Sequence, residues 1–77
     1  MKVAVHFFGQ LTDKTGVSVV QIDHPGSLSQ LKNILLNQYP SLHDAKFIIA
    51  INNKVVTEEV TIPDDCIIAL MPPFSGG

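Results

Sequence analysis

The 77-residue chain has no arginine and no tryptophan, a single cysteine, and no apolar run longer than the six residues from Cys66 to Met71. Without arginine it lacks the usual bidentate clamp for phosphates and carboxylates. Its five lysines are scattered and its net charge is −2. Nucleic-acid binding leans on grouped cations, so that class is disfavoured. One cysteine allows no internal disulfide. Six apolar residues fall far short of the ~20 that a membrane-spanning helix needs. The opening Met1-Lys2-Val3-Ala4-Val5-His6 does not have the layout of a secretion signal. The expected compartment is the cytoplasm, with neither membrane nor nucleic acid as partner.

Catalytic signatures are also scarce. There is no phosphate-binding glycine loop and no Gly-x-Ser-x-Gly elbow. His6, His24 and His43 lack tight metal-ligand spacing, so no metal site is expected. Glu58-Glu59 and Asp64-Asp65 are adjacent pairs, and adjacent side chains on an extended chain diverge. They read as solvated turn residues. Cys66 follows two aspartates and precedes two isoleucines, and neighbouring negative charge and apolar burial both disfavour a thiolate. It reads as structural. A chain this short buries only ~60% of its unfolded surface, leaving little room for an enclosed cavity. Catalysis by this chain alone is not expected.

What is present is a folding pattern. The apolar fraction is 45% and the charged fraction 16%, which suits one globular domain. Alternation from Lys2 to Phe8 predicts a strand, and Val17 to Ile22 a second. The glycine-bracketed Gly9 to Gly16 between them suits a hairpin loop. Ser27 to Tyr39 predicts a helix, with Ser27 and Gln30 forming a capping box and Leu28, Leu31, Ile34, Leu35 and Tyr39 on one stripe. Pro40 ends it. Phe47 to Ile51 predicts a strand sheltered on both faces or lying centrally in the sheet. Asn52-Asn53 predicts a tight hairpin turn into a short strand, Lys54 to Thr57. Pro63-Asp64-Asp65 marks a turn before the last strand, Ile67 to Met71. One main helix and about five strands make an α+β roll with a mixed sheet.

The end of the chain, "MPPFSGG", stands apart. Pro72 and Pro73 cannot join a sheet ladder, so the chain should leave the last strand stiffly. Phe74 is then an apolar anchor, and Ser75-Gly76-Gly77 is slender enough for a narrow channel in a partner. Alternation adds a surface. If Val3, Val5 and Phe7 face the helix, then Ala4, His6 and Phe8 face away. If Ile68 and Leu70 point inward, then Ile67, Ala69 and Met71 point outward. Phe8, Ile67 and Met71 would form an apolar patch where polar residues are the norm, which is the mark of a protein interface. The plainer reading is that these residues merely cover the sheet edge.

The segments "VHFFGQLTDKTG", "PGSLSQLKNIL", "AINNKVV" and "DDCIIALMPPFSGG" together resemble the β-grasp (ubiquitin-like) MoaD/ThiS family of sulfur carriers, over the whole chain. The "PPFSGG" ending looks like the molybdopterin synthase small-subunit branch; thiazole-pathway carriers usually lack the diproline. The resemblance implies one ubiquitin-like domain over residues 1–77 with an extended tail at 72–77. It implies chemistry at the Gly77 carboxylate, which an E1-like adenylating enzyme activates with ATP and a sulfur donor converts to a thiocarboxylate. The carrier itself binds no cofactor. The synthase large subunit, as partner in a heterotetramer, takes in the tail and passes the sulfur to a pyranopterin precursor. Phe8, Val55 and Met71 occupy positions that contact that subunit. Two readings stay open beside it: a thiazole-pathway carrier, and a protein modifier conjugated through Gly77. The chain departs from the family at Thr12-Asp13, where an Arg-Glu pair is common, and at Asp64-Asp65-Cys66, where Asp-Gly-Asp is usual. An aspartate in the glycine's place can take a left-handed conformation at moderate cost, so the turn is expected to change and the function is not.

Overall fold

A computed structural model that describes residues 2–73 has the five strands and the main helix these patterns predict, and a second, short α-helix they do not. In chain order they are β1 (Lys2–Phe7), α1 (Gln10–Thr15), β2 (Val19–Asp23), α2 (Leu28–Gln38), a 3₁₀ helix (Pro40–Asp44), β3 (Ile48–Ile51), β4 (Lys54–Val56) and β5 (Ile67–Met71). The sheet order is β2-β1-β5-β3-β4, with β1 and β5 parallel and every other pair antiparallel. Both hairpins place consecutive strands side by side, and the last strand fills the gap between them.

The core lies on the face bearing Val3, Val5 and Phe7 of β1, Ile68 and Leu70 of β5, and Ile49 and Ile51 of β3. Leu28, Leu31 and Leu35 of α2 join the same cluster, with Ile34 and Tyr39 partly buried against it. The Tyr39 ring meets Phe7 edge-on, centroids 5.5 Å apart, the arrangement that aromatic quadrupoles favour. Ser27 caps α2 by accepting from the Gln30 amide at 3.3 Å. A second anchor comes from far along the chain: Glu59 accepts the Ser29 amide at 2.9 Å and the Ser29 hydroxyl at 2.6 Å. A carboxylate over the first turn suits the helix dipole, and those two bonds from Ser29 hold the Glu59 pKa below its ordinary value.

The stretch Gly9 to Gly16 corrects the loop expectation, because Gln10–Thr15 is helical. Gly9, at φ +59°, turns the chain out of β1, and Gly16, at φ +79°, ends the helix in the left-handed conformation. Between them Leu11 is buried in the core cluster. The Thr12 hydroxyl donates to Phe7 O at 3.1 Å and that of Thr15 to Leu11 O at 3.0 Å, fastening both ends. A connection that appears polar is thus pinned by its one apolar side chain.

Asn52 and Asn53 take φ of 51° and 70°, the paired left-handed residues that a two-residue hairpin turn requires. Asn52 also receives the Ile67 amide on its side-chain oxygen at 3.0 Å and gives its own amide to Ile67 O at 2.9 Å. The turn before β5 needs no left-handed residue: among the described residues only Asn52 and Asn53 are non-glycines with positive φ. The Asp64-Asp65-Cys66 departure is therefore absorbed without the left-handed aspartate expected there.

Candidate functional site

Directly paired residues of neighbouring strands point to the same side of a sheet, so the register defines the face opposite α2. His6 is level with Val19 of β2 and Ala69 of β5, Ala69 with Ala50 of β3, and Ala50 with Val55 of β4. One row thus crosses all five strands as Val19, His6, Ala69, Ala50 and Val55. On one side of it, Ala4 pairs with Ile67. On the other, Met71 pairs with Ile48, and continuing the β1–β5 register sets Phe8 beside Met71. The Phe8 amide donates to Leu70 O at 3.0 Å, which holds it in that line. The face is largely apolar, interrupted by His6 in the cross-sheet row and by Gln21, Lys2 and Asp23 toward the β1–β2 end.

Exposure separates this face from the core. Ile67 is 58% exposed, Val55 54% and Phe8 48%, while Met71 is half-buried. The patch extends well beyond a sheet edge, since it includes the central strand β5. Three of the expected partner-binding residues, Phe8, Ile67 and Met71, lie together here as the alternation requires. Val55, which the resemblance alone nominated, falls on the same face because it pairs with Ala50. Alternation could not place it: Val55 and Val56 are adjacent, both apolar, and in a strand of three residues. Val19, Ile48 and Ala50 complete the face and were not singled out, although Val19 sits in an alternating run that carried the signal.

Pro72 and Pro73 follow directly from β5 at the Phe8 and Met71 corner of this face. Gly9 packs against Pro72 so closely that a Cβ there would lie 3.0 Å from the proline Cγ. Its positive φ and this contact together require glycine. Beside the exit is an open cleft of about 350 Å³ whose lining includes Leu11, Lys14, Lys46, Pro72 and Pro73. The remaining expected site residues, Phe74, Ser75, Gly76 and Gly77, lie outside the described residues.

Other candidates separate in space or chemistry. Cys66 is buried at the foot of β5, and burial first, then the charge of Asp65, pushes its thiol pKa up. His24 is a structural tie. Its Nε2 lies 3.0 Å from Ile62 O and 3.1 Å from Pro63 O, and its Nδ1 accepts the Gly26 amide at 3.1 Å. His43 is exposed in the 3₁₀ helix, and His6 is on the outer face of β1. Among the described residues no helix is long and apolar enough to cross a membrane.

A model of the ThiS family matches residues 5–77. Three solved structures define the likeness further. A putative molybdopterin converting factor, subunit 1, from Pyrococcus furiosus is 20% identical with a TM-score of 0.85, covering 96% of this chain and 99% of its own. A chain of the complex between subunits 1 and 2 of molybdopterin-converting factor from Helicobacter pylori is 28% identical with a TM-score of 0.75, both chains being covered in full. SAMP1 from Haloferax volcanii is 18% identical with a TM-score of 0.80, again over both full lengths. The mixed five-stranded sheet with its helix is the ubiquitin-like β-grasp.

Proposed function

This chain belongs to the ThiS family of ubiquitin-like sulfur carriers, and on that premise we propose that it is the small, sulfur-carrying subunit of molybdopterin synthase. The observation that carries the reading is the union of two features at one corner: a bare apolar sheet face and a diproline exit that leads to Gly76-Gly77. A docked partner covers the face and receives the tail. The complex of subunits 1 and 2 of the Helicobacter pylori factor supports a large synthase subunit as that partner.

The reacting atom is the carboxyl carbon of Gly77. In the first step a carboxylate oxygen attacks the α-phosphorus of ATP on an E1-like adenylating enzyme, and pyrophosphate leaves. The acyl-adenylate now carries AMP, a far better leaving group than oxide. A sulfide-level donor attacks the carbonyl carbon, AMP departs, and a thiocarboxylate remains. On the large subunit its sulfur attacks an oxygen-bearing carbon of the pyranopterin precursor; the carbon–sulfur bond forms as that carbon's bond to oxygen breaks and the oxygen takes up the electron pair and a proton, leaving a thioester. Water then cleaves the acyl–sulfur bond, which leaves the thiol on the pterin and regenerates the Gly77 carboxylate. Glycine suits this chemistry because it has no Cβ to shield the carbonyl. The carrier needs no bound cofactor, no metal and no catalytic side chain, and its setting is the cytoplasm.

Intact-mass measurement after incubation with the adenylating enzyme, ATP and sulfide tests the proposal. Replacement of one oxygen by sulfur is expected, and it should vanish when Gly77 is removed. Unchanged mass, or a gain that survives removal of Gly77, overturns it. Isopeptide adducts on lysines of other proteins would instead identify a modifier, and sulfur delivery to a thiazole precursor alone would identify the other carrier branch.

A further inference from the structure

We infer that His6 is the polar recognition point of the apolar docking face, pairing as a neutral imidazole with an uncharged hydrogen-bonding group of the large subunit, so that docking weakens when His6 is protonated. The inference rests on the docking role proposed above and adds what the partner must present. His6 lies in the row that crosses all five strands, between Val19 and Ala69. Phe8 stacks on its ring, centroids 6.4 Å apart and planes at 21°. Ala4 and Ile67 lie in the next row, with the exposed Gln21 at its β2 end. The imidazole is half-buried in this apolar setting and makes no hydrogen bond to another described residue, in contrast to His24, whose two ring nitrogens are both engaged.

A surface made only for apolar contact has no use for an imidazole at that place. Covering it without a partner group strands two ring nitrogens, and leaving buried polar atoms unpaired penalises binding. A partner that supplies a matching group avoids the penalty, and one that does not is rejected. This is how a single polar group confers selectivity on an apolar surface.

Charge sharpens the requirement. The charged groups on this face are Lys2 of β1 and Asp23 of β2, two residue pairs away from His6. They are bound to each other at 3.0 Å. From β5 the face receives Ile67, Ala69 and Met71, from β3 Ile48 and Ala50, and from β4 Val55, none of them titratable. Among the described residues this face has no carboxylate but that of Asp23, already held by Lys2, to neutralise an imidazolium once a partner excludes water, and burying an unpaired charge is costly. Histidine is the side chain that gains charge on mild acidification.

Titration calorimetry of the purified large subunit against the wild-type chain, His6→Leu and His6→Gln, at about pH 8 and about pH 5.5, brackets the usual histidine range. At the higher pH His6→Leu should bind several-fold more weakly than wild type, while His6→Gln, which keeps a donor and an acceptor, should restore most of the affinity. At the lower pH wild type should lose several-fold to about tenfold more affinity than either variant, since neither can protonate there. Circular dichroism should show all three folded alike. Equal affinity of His6→Leu and wild type at high pH overturns the inference, as does a parallel pH response in all three. Tighter wild-type binding in acid also overturns it, because a partner carboxylate would then face His6. Absence of docking by any chain at either pH overturns the docking role itself, and this inference with it.

Discussion

At the foot of the last strand, Cys66 is held in the state least suited to sulfur chemistry. Burial raises its thiol pKa and the charge of Asp65 adds to the rise, so the nucleophilic thiolate is scarce at neutral pH. The neighbours Asp64, Asp65, Ile67 and Ile68 foreshadow this, because charge and apolar character act over one or two residues. Alkylation by iodoacetamide at neutral pH should therefore be much slower in the folded protein than in the same chain in denaturant, and should accelerate only toward alkaline pH. Cys66→Ala should leave the Gly77 mass change intact. A native Cys66 that reacts as fast as a free thiol would refute the burial argument. Gly9 shows the converse. Nothing in its sequence neighbourhood signals that Pro72, 63 residues later, packs on it; a constraint of that kind becomes visible only when the chain is folded.

Among elements, legibility follows how many residues share a pattern. The stripe of Leu28, Leu31, Ile34 and Leu35 in α2, continued by Tyr39 at its C-cap, and the alternation of β1 and β5 repeat often enough to fix both type and facing. Helix α1 has six residues with only Leu11 apolar, so no period can form and its glycine brackets dominate the reading. The 3₁₀ helix escapes in the same way, with Leu42 its one buried residue. Both are short segments whose shape is set by tertiary burial and not by propensity. Leu11→Ala tests this directly. Leu11 is almost fully buried, and truncating such a side chain costs about 2–5 kcal/mol. That is a large share of the about 5–15 kcal/mol typical of a whole domain. Urea denaturation should register the loss as a lower midpoint with little change in slope. A loss below about 0.5 kcal/mol, the range of an ordinary surface substitution, would mean that α1 is not anchored through Leu11.

On the scale of the molecule, the sheet has two apolar faces and α2 covers only one. Alternation reveals that outward residues of β1 and β5 are apolar, but strand order and register are needed to merge them with Ile48, Ala50 and Val55 into one surface. Such pairings join residues 63 positions apart, as with Ala4 and Ile67 on β1 and β5, and no local pattern encodes them. The division of labour between the faces gives a sharp expectation. Phe8 and Ile67 are exposed and lie outside the core cluster, so Phe8→Glu and Ile67→Glu should change stability by no more than about 0.5 kcal/mol. For a domain of this size that is a melting shift below about 4 °C. Docking should respond quite differently. A carboxylate pressed into an apolar contact must be desolvated without a partner, so each variant should bind the large subunit at least about tenfold more weakly, the equivalent of about 1.4 kcal/mol. Adenylation of Gly77 assayed alongside separates the two partners' surfaces: loss of docking with adenylation retained assigns the face to the synthase, and loss of both assigns it to each. Unchanged affinity for the large subunit in both variants would remove the outer face from the interface.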